Sequence, residues 1–494
     1  MSQPDKTNPA LTPHEVRSIF MGILLSMFLA AIDQTIVATA MPTIGRALGD
    51  FENLPWVVTT YLLSSTAVTP LYGKISDITG RRVTLLVAIG IFILGSILCA
   101  LAPTMLTLIL ARALQGLGGG GLISLSQTII ADIVSPKERA RYQAYIAGVY
   151  AVSSVSGPAL GGFMAEKLHW SAIFWINLPL GILAFWLTNT LLRKLPRHER
   201  PHRLDFLGAG LMIIATTALL LALSLAGPHF AWSSAPILGL IGVSLVFAVA
   251  FAVRLMTAPE PLIPADILAN KVVAMSTIAS CAGVGVFIGL TIYTPIFLEG
   301  MYGLTASQSG FTLIPLMVGT VIGATIAGRF MARVQHYKYP TLIGLTIAAL
   351  GLALAATLSR DLPLIALVLI LTVVSLGIGT IFPLTIVAAQ NAVQPHQMGT
   401  TTGTVNFFRS LGGALIVAAF GAIVIGGLPP DMAEHVTIEN LASTFAAAGS
   451  DIATVFRWVF LAATAGLLIS LVSLCLMEEK PLRGAARPAA ASTE

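Results

Sequence analysis

Apolar stretches long enough to cross a bilayer recur from one end of this chain to the other, and that recurrence leaves few folds open. A hydrocarbon core of about 30 Å takes about 17 to 25 residues of helix, and roughly fourteen such runs can be counted. They begin near Ser18, Trp56, Val83, Leu106, Tyr142, Ser171, Phe206, Ala235, Val272, Ser307, Pro340, Leu362, Gly399 and Ala453. In lipid only helices and closed barrels satisfy every backbone polar group, and these runs lack the period-two alternation of barrel strands. The expectation is an all-α integral membrane protein. Composition agrees: 56% of residues are hydrophobic and 10% charged, against about a quarter charged in a soluble domain. The run Ser18 to Ala40 is too long for the apolar core of a signal peptide and has no convincing cleavage site, so it is expected to remain as the first span.

Basic residues near span ends stay on the cytoplasmic side. With the amino terminus inside, alternate loops collect Lys74, Arg81, Arg82, Lys137, Arg139, Arg141, Arg193, Lys194, Arg197, Arg200, Arg203, Arg254, Lys271, Arg329, Arg333 and Lys338. The opposite loops hold Arg46, Lys167, Arg360 and Arg457. Both termini are therefore expected in the cytoplasm, with the chain multi-pass in the cell's inner (cytoplasmic) membrane. The net charge of +5 is a topology signal and gives no reason to expect nucleic acid as a partner. The organisation reads as a tail (1–17), six spans (18–192), a basic loop (193–205), two further spans (206–256), a loop (257–270), six spans (271–477) and a tail (478–494) that reads as disordered. An acidic loop, Gly426 to Asp451 with Asp431, Glu434 and Glu439, falls outside.

Between the second and third runs lies Gly73-Lys74-Ile75-Ser76-Asp77-Ile78-Thr79-Gly80-Arg81-Arg82, expected as a cationic tight turn at a hinge. A degraded copy follows the second span of the last six, Gly328-Arg329-Phe330-Met331-Ala332-Arg333. Repeats of this kind place a substrate site at the interface of two halves, near the bilayer midplane.

Ionisable residues inside spans are costly, about 2.5 to 3.5 kcal/mol for a central Asp or Arg on insertion scales. Asp33 and Arg112 stand out, both roughly 10 Å below the outer ends of their helices at 1.5 Å per residue. They are close enough in depth to meet, either as a static ion pair or as a carboxylate whose protonation follows conformation. Arg409, with Asn406 before it, is the third intramembrane charge, either a packing anchor bonded to backbone carbonyls or a cavity residue. Gln34, Gln115, Gln127 and Asn177 are further cavity candidates, or interhelical glue. Asp132, Glu166, Asp205 and Glu299 lie near span ends, where water or headgroups are expected to solvate them.

In the fifth span, small residues from Gly148 to Gly162 would let helices approach, and Pro158 would remove a helical hydrogen bond. Gly116 to Gly121 contains a formal dinucleotide-type glycine pattern, but no strand precedes it. No Walker loop occurs. Cys99, Cys281, Cys475 and the dispersed histidines show no metal, redox or nucleophile spacing. These absences argue against an enzyme and against a cofactor.

Four of these stretches together carry a resemblance. Gly73, Asp77, Gly80, Arg81 and Arg82 resemble the loop motif of the major facilitator superfamily. Ala31-Ile32-Asp33-Gln34-Thr35-Ile36-Val37 through Met41-Pro42 resembles the first-span motif of its fourteen-span drug:proton antiporter branch. Leu108 through Arg112 to Gln115-Gly116 is similar to the fourth-span motif, and Gly148 through Gly157-Pro158 to Gly161-Gly162 to the antiporter motif. The resemblance implies a major facilitator fold of two six-helix bundles plus two inserted helices. It implies alternating access, with Asp33 binding a proton, Arg112 tuning it, and Asp77 docking on the start of the thirteenth span near Gly399 to Thr402. The gating set is then Gly73, Asp77, Gly80, Arg81, Arg82, Gly157, Pro158, Gly161 and Gly162. Expected partners are an amphipathic small molecule, protons and the bilayer, with the proton gradient as energy source; some relatives of the branch also work with a periplasmic adaptor protein. The second half has no deeply embedded acid, which argues against a dicationic cargo. Alternatives are a transporter of one physiological lipid, siderophore, amino acid or metabolite, and a non-transporting receptor or scaffold.

Overall fold

The computed structural model describes residues 13–50, 53–194, 204–227, 230–334, 336–428, 444–445 and 451–482. Most of the basic loop 193–205, the acidic residues Asp431, Glu434 and Glu439, and the ends of both tails lie outside the described residues.

The first half comprises α1 (Pro13–Leu48), α2 (Trp56–Thr79), α3 (Arg81–Ala100), α4 (Met105–Ile133), α5 (Pro136–Lys167), α6 (Ala172–Trp175) and α7 (Asn177–Leu191). Next come α8 (Phe206–Leu225), α9 (Ala235–Thr257) and the short α10 (Ala265–Ala269). The second half is α11 (Lys271–Tyr302), α12 (Ala306–Thr312), α13 (Ile314–Arg333), α14 (Tyr339–Thr357), α15 (Leu364–Gly379), α16 (Ile381–Asn391), α17 (Met398–Gly426) and α18 (Ile452–Leu476). Thirteen helical stretches are long and apolar enough to cross a membrane. The more polar α2, at 24 residues, matches them in length and packs among them, giving the fourteenth span.

Three expected spans are each two helices in tandem, and proline explains every break. Pro179, Pro315 and Pro383 cannot donate to the carbonyls of Trp175, Phe311 and Gly379 four residues earlier. The interruptions fall at Ile176, Leu313 and Thr380. By contrast, Pro42, Pro70, Pro158 and Pro295 sit inside helices that run on unbroken.

Each half buries its own apolar core. One cluster gathers α1 to α5 and α7 around Phe92, Ile129 and Ala184, and another gathers α11 and α13 to α18 around Phe297, Leu345 and Phe456. Small residues set the spacing. A methyl group at Gly116 would stand 2.5 Å from the Tyr61 carbonyl, and one at Gly118 2.6 Å from that of Ala88. The glycine run is therefore the surface on which α2 and α3 close against α4. The inserted α8 packs on α9 and lies along α2 and α17, where the halves adjoin. Ala209 and Met212 of α8 are buried there with Phe407 of α17. Its first turn is capped by Asp205, which accepts from the Gly208 N–H at 3.0 Å and pairs with Arg254 of α9 at 3.0 Å. Asp205 is thus buried and paired, not solvated as expected, because α9 delivers a cation to the helix end.

Candidate functional site

The loop motif is mostly helix. The expected turn Gly73 to Arg82 shrinks to Gly80, whose φ of +91° suits glycine. Residues 73–79 continue α2, so Asp77 projects from a helix end. Its Oδ1 accepts from the Gly399 N–H at 3.1 Å, and its Oδ2 from the Thr400 N–H and Oγ1, both at 2.8 Å. These are the first turn of α17, where unpaired N–H groups favour an anion. Arg81 bridges Asp77 at 2.5 Å and Asp132 at 2.7 Å. Asp132 thus joins the cluster while staying exposed at the end of α4, as expected of a span-end residue. Arg82 bonds Asn189 at the end of α7 through both the side chain and the backbone carbonyl. Gly73 makes the docking possible, since a Cβ there would lie 2.4 Å from the Gly399 carbonyl oxygen.

The degraded copy occupies the mirrored place. A Cβ on Gly328 of α13 would meet the Ala140 carbonyl of α5 at 2.1 Å. The acid is missing: Ala332 stands four residues after Gly328, as Asp77 does after Gly73. Nearby, the buried Arg139 donates to the Val134 and Ala131 carbonyls and to Gln390 Oε1 across the halves.

Asp33 and Arg112 meet. Arg112 Nη1 donates to Asp33 Oδ2 at 2.6 Å, with side-chain exposures of 1% and 0%. Gln115 Nε2 and Asn177 Nδ2 donate to Asp33 Oδ1 at 2.9 and 2.8 Å. Arg112 also donates to Gln115 Oε1 at 2.7 Å and to the Val57 carbonyl at 3.0 Å, and lies 4.2 Å above the Tyr61 ring. Ser96 accepts from Gln115 and Asn177 and donates to the Phe174 carbonyl. Helices α1, α3, α4 and α7 thus share one polar knot in an apolar bundle, where each charge-assisted bond counts for more than in water. The acid belongs to this knot, not to an open cleft.

The cavity candidates divide. Gln115 is sealed in the knot because its face of α4 is covered by α3. Gln127 and Asn406 are both buried and bonded to each other, Asn406 Nδ2 to Gln127 Oε1 at 2.8 Å, closing the space between α4 and α17. Gln34 is half-buried beside the Tyr61 hydroxyl. Arg409 is half-buried, and among the described residues it forms neither an ion pair nor a hydrogen bond, so of the two readings the anchor on backbone carbonyls is not seen. In α5, Gly157 and Gly161 pack tightly on α1, against Thr35, Ile36 and Thr39, and Thr35 Oγ1 donates to the Ser153 carbonyl at 2.9 Å. Gly148 and Gly162 face open space, and Pro158 is exposed, so only part of that motif serves close approach. Glu299 accepts from Ser309 Oγ at 2.8 Å. Ser96 and Tyr61 were not singled out from sequence, since a serine or tyrosine in a span costs little and gives no contrast. No grouping of three or more His, Cys, Asp or Glu that could hold a metal ion occurs among the described residues.

The polar bonds between the two halves cluster at one end, the end that carries Lys74, Arg81, Arg82, Lys137, Arg141, Arg329 and Arg333. There Asp77 meets Gly399 and Thr400, Gln127 meets Asn406 and Arg139 meets Gln390. Elsewhere α1 packs on α5, α7 and α4, and α11 on α17, α18 and α16, each within its own half. Two helical bundles bonded to each other through helix ends, with a buried charge pair in one of them, have the build of a membrane transporter.

The chain belongs to the Major Facilitator Superfamily, whose family model matches residues 23–417. Among curated relatives, the multidrug transporter protein MdtP of Bacillus subtilis (strain 168) is 34% identical over 409 residues, 82% of this chain and 75% of the relative. Multidrug resistance protein 3 of the same organism is 35% identical over 405 residues, 82% of this chain and 79% of the relative. Among solved structures, the proton:xylose symporter XylE superposes with a TM-score of 0.62 at 14% identity, covering 96% of this chain and 98% of that one. A bacterial homologue of the iron transporter ferroportin gives a TM-score of 0.64 at 11% identity, covering 93% and 98%.

Proposed function

We propose that this protein is a proton-coupled exporter of amphipathic toxic compounds that works by alternating access in the cytoplasmic membrane. Bundles 18–192 and 271–477 rock against each other, and the inserted pair 206–256 rides on their shared flank. The positive-inside rule puts the bonded, arginine-rich end in the cytoplasm with both termini. Asp77 on α17 is the inner latch, Gly73, Gly80, Arg81 and Arg82 shape it, and the α1–α5 seam at Gly157 and Gly161 stiffens the first bundle. Names of relatives support export of drugs as the activity.

The observation that carries proton coupling is the Asp33–Arg112 pair at 2.6 Å, sealed from water by its own bundle. An ionised acid so buried holds its charge only while Arg112, Gln115 and Asn177 stay in place. A movement of α1 against α4 that takes these donors away would leave the carboxylate without partners, and proton uptake there is the coupling step of this reading. One charge crossing 100 mV is worth about 2.3 kcal/mol, enough for roughly a forty-fold gradient of neutral cargo.

The test is substrate-induced proton release from purified protein, paired with efflux from proteoliposomes. In Asp33→Asn, proton release should vanish and uphill efflux should fall at least a hundredfold, with normal insertion. Wild-type proton release from the variant would remove Asp33 as the coupling acid.

A further inference from the structure

We infer that Arg409 is the anchor of an anion-recognition site in the central cleft, and that the compounds carried include amphipathic anions with a carboxylate or sulfonate head. This deepens the transport reading above and rests on it.

Arg409 lies eleven residues beyond Met398 at the start of the 29-residue α17, about 16 Å along the axis at 1.5 Å per residue. That is the depth of the bilayer middle. The opposite face of α17 is committed elsewhere, for Phe407 and Leu411 pack with α8 and with Leu71 of α2. One turn before Arg409, Asn406 turns inward to Gln127 of the first half. Arg409 follows the same face, and its electrostatic neighbour is the half-buried Tyr150 phenol of α5, in the opposite half. Arg409 thus lies on the face of α17 that Asn406 turns toward the first half, one helical turn beyond the Gln127–Asn406 bond.

Lipid-depth arginines normally sit with an acid or with carbonyls. This one has no such partner among the described residues. The other charges at that depth are withdrawn: Asp33 already receives three donors at 0% exposure, and Arg112 is spent on Asp33, Gln115 and Val57. Glu299 lies near the far end of α11 and receives Ser309. Among the described residues, the charge left for a ligand at this depth is thus a cation with a planar fork of donors, suited to a two-oxygen anion. The Tyr150 ring supplies an apolar face and a hydroxyl beside it.

The experiment uses the full chain in lipid nanodiscs and measures equilibrium binding of a radiolabelled naphthalene sulfonate against its neutral sulfonamide. Wild type should prefer the sulfonate at least tenfold. Arg409→Gln should lose that preference, and Arg409→Lys should recover part of it. Equal wild-type affinity for the two probes, which needs no variant to measure, would overturn the proposal, as would an unchanged preference in Arg409→Gln. Uptake by wild-type proteoliposomes separates the two levels. Movement of cationic or neutral compounds without sulfonate binding sinks the anion site alone, whereas movement of no compound of any charge sinks the transport reading.

Discussion

Arg112 shows how much one side chain can hold in place. Its guanidinium reaches Asp33, Gln115 and the Val57 carbonyl and stacks on Tyr61, using the fixed fork of donors that distinguishes arginine from lysine. An ammonium is a point charge and cannot serve all four. Arg112→Lys should keep the charge but drop two or more of these contacts, each worth about 1–3 kcal/mol when a buried partner is orphaned. The expected outcome is a lower apparent melting temperature in detergent and efflux slowed at least tenfold; wild-type values for both would mean that charge alone suffices. Asp33 and Arg112 were legible in the sequence because charges in apolar runs are rare and costly. Gln115 stayed open between cavity residue and interhelical glue and proves to be glue, because the sequence says that a polar group lies in a span but not which neighbour covers that face. The knot that joins it to Ser96 and Asn177 exists only once α3 and α7 are packed on α4.

At the scale of helices, the sequence was informative about number and start points and poor about continuity. Prolines 179, 315 and 383 interrupt their spans, whereas Pro158 does not, and no local rule separates the two groups. The unbroken α5 packs against α1 and α13, but the interrupted α13 packs as closely on α15 and α5, so packing alone does not separate them either. The seam with α1 depends on absent side chains. A Cβ on Gly161 would lie 2.4 Å from Thr39 Oγ1 and 2.5 Å from the Ile36 carbonyl, while Gly162, one residue on, meets nothing within 4 Å. Gly161→Val should therefore destabilise the first bundle by about 1–3 kcal/mol through overpacking, and Gly162→Val should be near neutral. Thermal unfolding of the pair checks this internally, and equal losses would show that helix propensity and not the seam sets the cost.

For the molecule as a whole, the two halves close on each other in unequal ways. The α5–α13 contact is backbone against backbone at Gly328, with Ala332 where an acid would stand. The α2–α17 contact adds Asp77 and its three donors from Gly399 and Thr400. Steric fit permits closure on both sides, but the α2–α17 side penalises opening more, since separation there leaves a carboxylate and two helix-end N–H groups to find water, against a long Arg139–Gln390 bond of 3.5 Å on the α5 side. Breaking such bonds costs about 1–3 kcal/mol, which shifts a two-state balance by roughly 5- to 150-fold. Asp77→Asn keeps one acceptor oxygen and loses the charge, so it should move the resting population toward separation at this end. Spin labels on the exposed Lys137 and Arg333, one in each half, would report it as a new long-distance population at zero substrate. Since α8 lies along both α2 and α17, the same motion must slide the inserted pair over that seam, and crosslinking α8 to α17 should suppress the long-distance population in the variant. A distance distribution for Asp77→Asn that overlays the wild type would remove Asp77 as the latch and leave closure to packing alone.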